Sequence, residues 1–371
     1  MNFPIAILLL CALAGLFDKI IGGRLELAEE FDRGMTMMGS LALTMSGVYC
    51  FSVMLGRFLS LQLQGVSLPV NPSILVSSVL AVDMGAYSIA NTLCADPALK
   101  LFSGILLAST LGCTISFSLP IALGSVPDKD SKNLMTGMVY GIIAAPAALV
   151  IGSLIGGMKP MALLQSLLPV LVICLVLALS IFYGGDRAIR AFQVVGKGIN
   201  LLAILLFSLV LIQVFAASPR VHFVDDALVG EVLTIVFQIS AVVCGSFILS
   251  KLILKFLIHP IFAIARIIHV NEFAIIGMLL NLINSVSMFS VFDKMDRRGQ
   301  LINAACAVTS GFVFGGQLAF VASVENHAVL AFIIAKLSGG LVAMLIAILT
   351  SPPYDPATVD ESTMISERSK S

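Results

Sequence analysis

Long apolar runs dominate this sequence of 371 residues. A helix that crosses a hydrocarbon core of about 30 Å needs roughly 20 apolar residues. Runs of about this length, bounded by charged residues, Pro or Gly, occur eleven times: Phe3–Ile21, Met35–Leu59, Ser73–Cys94, Leu99–Leu123, Leu134–Gly157, Met161–Tyr183, Ile199–Ala217, Leu228–Ile258, Ala263–Phe292, Leu301–Val324 and Ala328–Thr350. The sequence therefore predicts an all-α polytopic membrane protein with about 9–11 membrane segments.

The composition supports the same conclusion. Apolar residues make up 59% of the chain and charged residues 11%, against roughly 45–50% and about 25% in an average soluble domain. So few charges cannot cover the surface of a soluble protein, so much of this surface must face lipid. The net charge is zero, which argues against a nucleic-acid partner.

Motif searches argue against an enzyme. The seven cysteines lie in or beside apolar runs and never form a CxxC pair, and the four histidines show no metal-ligand spacing, so we expect no disulfide framework and no metal site. The patterns GxxxxGK[ST], HExxH, GxSxG and GxGxxG are all missing. The sequence thus predicts a protein without a cofactor, whose driving force, if any, comes from a gradient.

A weak internal repeat relates the two halves of the chain. Asn71 opens a run that reaches the Asp-Met-Gly sequence at Asp83, and Asn271, 200 residues later, opens a run that reaches Asn284. Each run carries polar residues in its middle and is followed, at nearly the same offset, by a segment rich in Gly, Ser and Thr. We therefore predict a first repeat with a linking span at 1–183 and a second repeat at 184–350, followed by a disordered cytoplasmic tail at 351–371.

The basic residues test the topology. If all eleven runs cross, the Lys and Arg residues other than Lys336 divide 11 to 9 between the two sides. If the third and ninth runs are broken or re-entrant and return to the side they left, the division becomes 16 to 4, the minority being Arg57, Lys100, Lys159 and Arg220. The second model follows the positive-inside rule. It also inverts the second repeat relative to the first, as in many secondary transporters, and predicts an outside N-terminus and a cytoplasmic C-terminus.

Asp83 is the acid placed most deeply in an apolar run, and intramembrane acids usually have a function. The alternative is a carboxylate satisfied by backbone amides of a broken helix. The other candidates for substrate binding are polar groups in or after the two repeat runs: Tyr87, Thr114, Asn281, Asn284, Ser287 and Gln317. For each of these, packing or helix-to-helix hydrogen bonding is an equally good interpretation. Lys336 lies within the last run and needs an acid or a carbonyl as its partner.

Four stretches of the sequence carry a family resemblance: FDRGMTMMGSLALTMSGV from Phe31, NPSILVSSVLAVDMGAYSIA from Asn71, FSGILLASTLGCTISFSLPIALG from Phe102 and VNEFAIIGMLLNLINSVSMFSVFDKMDRRGQLINAACAV from Val270. Through them the chain resembles the EutH family of bacterial ethanolamine permeases over nearly its whole length. The resemblance implies uptake of ethanolamine across the bacterial inner membrane, and a protonated amine suits Asp83. Two departures from the family pattern leave the substrate open. The family often has Asn-Asn-x-Pro where this chain has Asn-Ser-Val-Ser from Asn284, and Gly-Asp-His where it has Gly-Gly-Gln from Gly315.

These observations lead to one hypothesis and several rivals. The hypothesis is a secondary transporter or facilitator for ethanolamine, in which Asp83 holds the ammonium and the uncharged polar groups bind the hydroxyl end. The rivals are a transporter or channel for another small amine or polar metabolite, and a non-transporting membrane sensor or scaffold. The expected partners are the substrate and the lipid bilayer but no nucleic acid, and a homo-oligomer stays open.

Overall fold

The computed structural model describes residues 3–62, 70–216, 223–256 and 265–354, of which 86% are helical and none forms a strand. The predicted tail 351–371 lies outside these residues from position 355 onwards. The main helices are α1 (Phe3–Ile20), α2 (Ala28–Gln62), α3 (Pro72–Ser77), α4 (Ala86–Leu93), α5 (Pro97–Ser125), α6 (Ser131–Ile155), α7 (Pro160–Ala216), α8 (Asp226–Phe256), α9 (Glu272–Ile283), α10 (Ser285–Phe289), α11 (Arg297–Thr309), α12 (Gly316–Val324) and α13 (Val329–Thr350).

Among the described residues, eight helical stretches are long and apolar enough to cross a membrane. Six of them belong to α1, α2, α5, α6, α8 and α13, and the other two, Pro160–Gly184 and Arg190–Ala216, both lie in the 57-residue helix α7. Eight of the eleven predicted runs are thus membrane-length helices. The prediction of an all-α polytopic membrane protein is confirmed.

The third and ninth runs are broken, as the sequence predicts. In the third, α3 ends at Ser77, a 3₁₀ turn follows over Val82–Met84, and α4 begins at Ala86. In the ninth, Asn284 has an extended backbone and separates α9 from α10. We refer to these two places as the first break and the second break.

The tenth run, Leu301–Val324, differs from its prediction as a single span. It divides into α11 and α12, and the chain between them is irregular, with Phe312 at a φ of 63°. This irregular stretch supplies hydrogen-bond donors to backbone carbonyls beside the second break. The amides of Phe312 and Phe314 donate hydrogen bonds to the carbonyls of Asn281 and Leu282, at 3.0 and 2.8 Å. Such pairing is required because backbone groups inside a membrane have no water to bind.

The first break packs against α5, whose middle part, Leu101–Gly112, is a π-helix. A Cβ atom at Gly112 would lie 2.2 Å from the carbonyl oxygen of Leu80 and 2.4 Å from that of Ser77, so only glycine allows this close approach. Ser73 on α3 also donates a hydrogen bond to Ser103 on α5 at 3.0 Å. The segment rich in small residues that follows each repeat run therefore supports the break before it.

Candidate functional site

The two breaks lie on the same cavity. Its volume is about 460 Å³, and its walls come from α2, the first break, α5, α7, α8, the second break, and the irregular stretch with α12 that follows α11. Seven polar side chains line it, namely Thr36, Ser40, Thr44, Asp83, Asn200, Asn284 and Gln317. Cavities of this kind, between discontinuous helices inside a bundle, are typical substrate sites of membrane transporters.

Asp83 lies on the 3₁₀ turn of the first break, and its side chain is half-buried against the cavity. Among the described residues that line the cavity, it is the one carboxylate. Gly85 fixes its position, because this residue has a φ of 96° and a Cβ atom there would lie 1.9 Å from Oγ of Ser52 on α2. In the Asp-Met-Gly sequence, Gly85 thus allows the first break to pack closely against α2, and Asp83 places a carboxylate on the cavity.

Lys336 lies behind the cavity wall. This buried residue of α13 donates hydrogen bonds from Nζ to Oε1 of Gln317 and to the carbonyl oxygen of Ser109, both at 2.7 Å. The structure thus supplies the partners that the sequence left open, and it makes Gln317 the link between a buried cation and the cavity.

Asn284 forms the wall on the side of the second break. Its Oδ1 accepts a hydrogen bond from the amide of Val286 at 2.9 Å and so caps α10, and its Nδ2 lies 3.6 Å from Sδ of Met37 on α2. A side-chain acceptor at this position is the usual way to satisfy the first amides of a helix. Asn284 therefore stabilises the start of α10 after the break and also gives the cavity a polar surface.

The polar stripe of α2 was not predicted from the sequence. Thr36, Ser40 and Thr44 are four residues apart and so share one face of the helix. The hydroxyl protons of Thr36 and Thr44 are donated to the backbone carbonyls four residues earlier, at 2.8 and 2.9 Å, which leaves oxygen lone pairs as acceptors. Their regular spacing is visible in the sequence. Asn200 on α7, also missed, stands alone in an apolar run and gives no such signal.

The structure brings together three of the seven predicted site residues, Asp83, Asn284 and Gln317. The other four lie outside the cavity lining and contact protein. Thr114 donates to the carbonyl of Thr110 at 2.8 Å, and Ser287 accepts from Nη2 of Arg33 at 3.3 Å. Asn281 is buried and accepts a hydrogen bond from Ser285 at 2.6 Å. Substrate contact by these residues stays a prediction.

Tyr87, the fourth of these, lies on α4, four residues after Asp83. Its hydroxyl donates a hydrogen bond to Oε2 of Glu325 at 2.9 Å, and its ring meets that of Phe320 edge to face with 5.9 Å between centroids. Glu325 also pairs with Lys100. The sequence did not single out this group, because its members are far apart in the chain.

Comparison with known proteins identifies the family of this chain. A family model described as "Ethanolamine utilisation protein, EutH" matches residues 2–350. The chain belongs to the EutH family. The family match covers both breaks and every residue that lines the cavity.

Three curated relatives of this EutH-family chain cover most of its length. The "Probable ethanolamine permease EutH" of Listeria monocytogenes serotype 1/2a (strain 10403S) is 33% identical over 93% of this chain and 92% of its own. The protein of the same name from Salmonella typhimurium is 29% identical, over 93% and 90%. The "Uncharacterized protein YxeR" of Bacillus subtilis is 29% identical, over 91% of each chain. No solved structure matches.

One prediction concerns the ammonium of Lys336, which is buried behind the cavity wall of this EutH-family protein. Replacing Lys336 by Met should lower the free energy of unfolding by about 1–3 kcal/mol, because the oxygens of Gln317 and Ser109 lose their donor in a buried place. Thermal unfolding of the purified protein in detergent measures the change. Lys132→Met, at an exposed position near the start of α6, is the control. An unchanged midpoint in Lys336→Met would show that the hydrogen bonds only offset the cost of burying the charge.

Proposed function

We propose that this chain transports ethanolamine across the bacterial inner membrane and binds its ammonium group at Asp83. The observation that carries the proposal is a carboxylate on a broken helix, directed into a cavity whose other polar groups are hydroxyls and amides. The family and the names of its relatives point to the same substrate. This role is that of a transporter and not of an enzyme.

The chemistry of the cavity suits a small amino alcohol. A primary amine is protonated at neutral pH and offers three donors, which match the Asp83 carboxylate and the acceptor lone pairs of the α2 hydroxyls. Asn284 and Gln317 can both donate to and accept from a hydroxyl group. A cavity of about 460 Å³ holds a two-carbon amine together with several waters, so water completes the coordination of the substrate.

In the proposed mechanism the two halves, 1–183 and 184–350, are inverted repeats that move against each other about the cavity. The N-terminus lies outside and the C-terminus in the cytoplasm, as the basic residues predict. Tyr87, Thr114, Asn281 and Ser287 would reach the substrate in other conformations of the cycle. The exposed apolar face of α7 would contact lipid or a second copy of the chain.

Uptake of labelled ethanolamine into proteoliposomes tests the proposal. We expect saturable uptake that unlabelled ethanolamine inhibits most strongly. Ethylamine, which lacks the hydroxyl, should inhibit about tenfold less well because one hydrogen bond is lost. Choline should inhibit weakly, since methyl groups replace the three N–H donors that Asp83 and the α2 hydroxyls accept.

Other results would favour the rival functions. Stronger inhibition by a different small amine or polar metabolite would change the substrate. Uptake that does not saturate and shows no stimulation from the far side of the membrane would indicate a channel. Ethanolamine binding without flux in any lipid would indicate a sensor or scaffold. Each of these outcomes contradicts the proposed transport.

A further inference from the structure

A second carboxylate lies outside the cavity lining, in contact with Tyr87. Glu325, in the turn between α12 and α13, accepts hydrogen bonds at Oε2 from the Tyr87 hydroxyl (2.9 Å) and from Nζ of Lys100 (2.6 Å). His327 pairs with its Oε1. The side chains of Glu325 and Lys100 are only 12% and 20% exposed, whereas that of His327 is 84% exposed, so Lys100 is the main partner.

Three aromatic rings, which we call the aromatic layer, follow cavity-lining residues along their helices, and one of them, Tyr87, is bonded to Glu325. Tyr87 follows Asp83 by four residues, Phe320 follows Gln317 by three, and Tyr49 follows Thr44 by five. The Phe320 ring meets Tyr87 and Tyr49 edge to face, with centroids 5.9 and 6.3 Å apart. Three of the cavity walls thus add, about one turn after a polar residue, a ring to the same layer.

The opposite end of the cavity differs. Its lining continues along α2 from Thr44 back to Thr36, and the side chains of Ser40 and Thr36 at that end are exposed. The aromatic layer and the Glu325 group therefore close the cavity on one side only. In this closure Lys100 and Tyr87, from the half 1–183, bind Glu325, from the half 184–350. Any opening between the halves therefore has to break these bonds.

The charge state of Glu325 makes this closure stable at neutral pH. Burial raises the pKa of Glu325, but the hydrogen bonds from Lys100 and Tyr87 and the nearby charges of Lys100 and His327 lower it below its ordinary value of 4.5. A lowered pKa means that the stabilisation is complete above that ordinary value and is lost as the pH falls through the lowered one. Glu325 therefore stays a carboxylate at neutral pH.

We propose that Glu325 is an entrance site for the ammonium group of the substrate, and that Lys100 occupies it while the aromatic layer is closed. The inference rests on the proposed function. Lys100 ends in a primary alkylammonium, the same group that ethanolamine carries, so the substrate can replace it at the carboxylate. A ligand shifts a conformational equilibrium only if it binds one state better, and Glu325 accepts the substrate only in the state that Lys100 has left.

The variants Lys100→Gln and Glu325→Gln break the same ion pair from its two ends. For uptake from the Lys100 side, Glu325→Gln should raise KM about tenfold, because the charged acceptor of the ammonium is lost. Lys100→Gln should leave KM unchanged or lower it, because it frees the carboxylate. Lys159→Gln, at an exposed position predicted to lie on the same side, should change nothing. Equal increases in KM for Lys100→Gln and Glu325→Gln would overturn the entrance site.

Cys113 lines the cavity, so the rate at which its thiol is labelled measures how far the aromatic layer closes the cavity. A membrane-impermeant methanethiosulfonate that carries a quaternary ammonium, applied from the Lys100 side, should react with it about tenfold faster in both variants, since an ion pair without one partner no longer holds the layer shut. Cys113→Ser in the same backgrounds identifies the part of the labelling that comes from this thiol. Unchanged labelling would overturn the role of the pair in closing the cavity.

Calorimetric titration of the purified proteins with ethanolamine separates this inference from the proposed function. We expect wild type and both Gln variants to bind ethanolamine, which also shows that the variants are folded. No binding to wild type would defeat the proposed function itself. Binding to all three proteins, together with equal KM values for the two variants, would defeat only the entrance site.

Discussion

Replacing Asp83 by Asn should reduce saturable ethanolamine uptake in proteoliposomes by about 100-fold or more. The substitution keeps the size of the side chain and one acceptor oxygen but removes the charge that balances an ammonium in a cavity walled mainly by apolar groups. Hydrogen bonds to a charged group contribute about 1.5–3 kcal/mol each, and a cation left without a counter-charge in such a place costs more still. Initial rates measured over a range of ethanolamine concentrations give the size of the loss.

Two further measurements make this result specific. Asp128→Asn removes an exposed carboxylate and should leave uptake unchanged. Asp83→Asn should elute from a sizing column as the wild type does, because its neighbours in the 3₁₀ turn are bonded through the backbone. Saturable uptake of wild-type size in Asp83→Asn would show that this carboxylate is satisfied by the protein and does not hold the substrate.

Replacing Gly85 by Ala should destabilise the protein strongly, although the substitution adds only one methyl group. The position has a φ of 96°, and the added Cβ would lie 1.9 Å from Oγ and 2.3 Å from Cβ of Ser52. The left-handed backbone and the overlap together should lower the free energy of unfolding by about 2–5 kcal/mol. Thermal unfolding in detergent measures this loss, and uptake should fall with it because Asp83 precedes the glycine by two residues.

The chain offers a matched control and a partial rescue. Gly39 lies on α2, and a Cβ atom there meets nothing within 4 Å, so Gly39→Ala should be neutral or slightly stabilising in a helix. Ser52→Gly in the Gly85→Ala background removes the overlap and should restore part of the stability, while the backbone strain stays. A Gly85→Ala protein that unfolds like wild type would contradict the close contact between the first break and α2.

The breaks in the third and ninth runs could be predicted because an acid or several polar residues interrupt an apolar pattern, which is costly in a continuous membrane helix. The break in the tenth run could not. Phe312 is an apolar residue at a positive φ, and neither proline nor charge marks its position. This stretch is irregular because its amides pair with the carbonyls of Asn281 and Leu282, and such a long-range pairing leaves no local pattern in the sequence.

The candidate site was predictable to a similar degree. Asp83, Asn284 and Gln317 stand out because polar groups in lipid need partners, and all three line the cavity. Thr36 and Thr44 do not stand out in the sequence, because hydroxyls in apolar helices usually bond to their own backbone, as these two also do. The pairing of Glu325 with Lys100 depends on the contact between distant parts of the chain, which residue types alone do not specify.

The pairing at the second break has a mechanical consequence. The amides of Phe312 and Phe314 bind the end of α9, and the Ser246 hydroxyl on α8 donates to the carbonyl of Phe314. These hydrogen bonds join the irregular residues, α8 and the end of α9 into one rigid body. Their amide protons should exchange with deuterated solvent as slowly as those of a buried helix. A body that cannot flex can only turn as a whole, so hinges for any transport movement have to be sought at its borders.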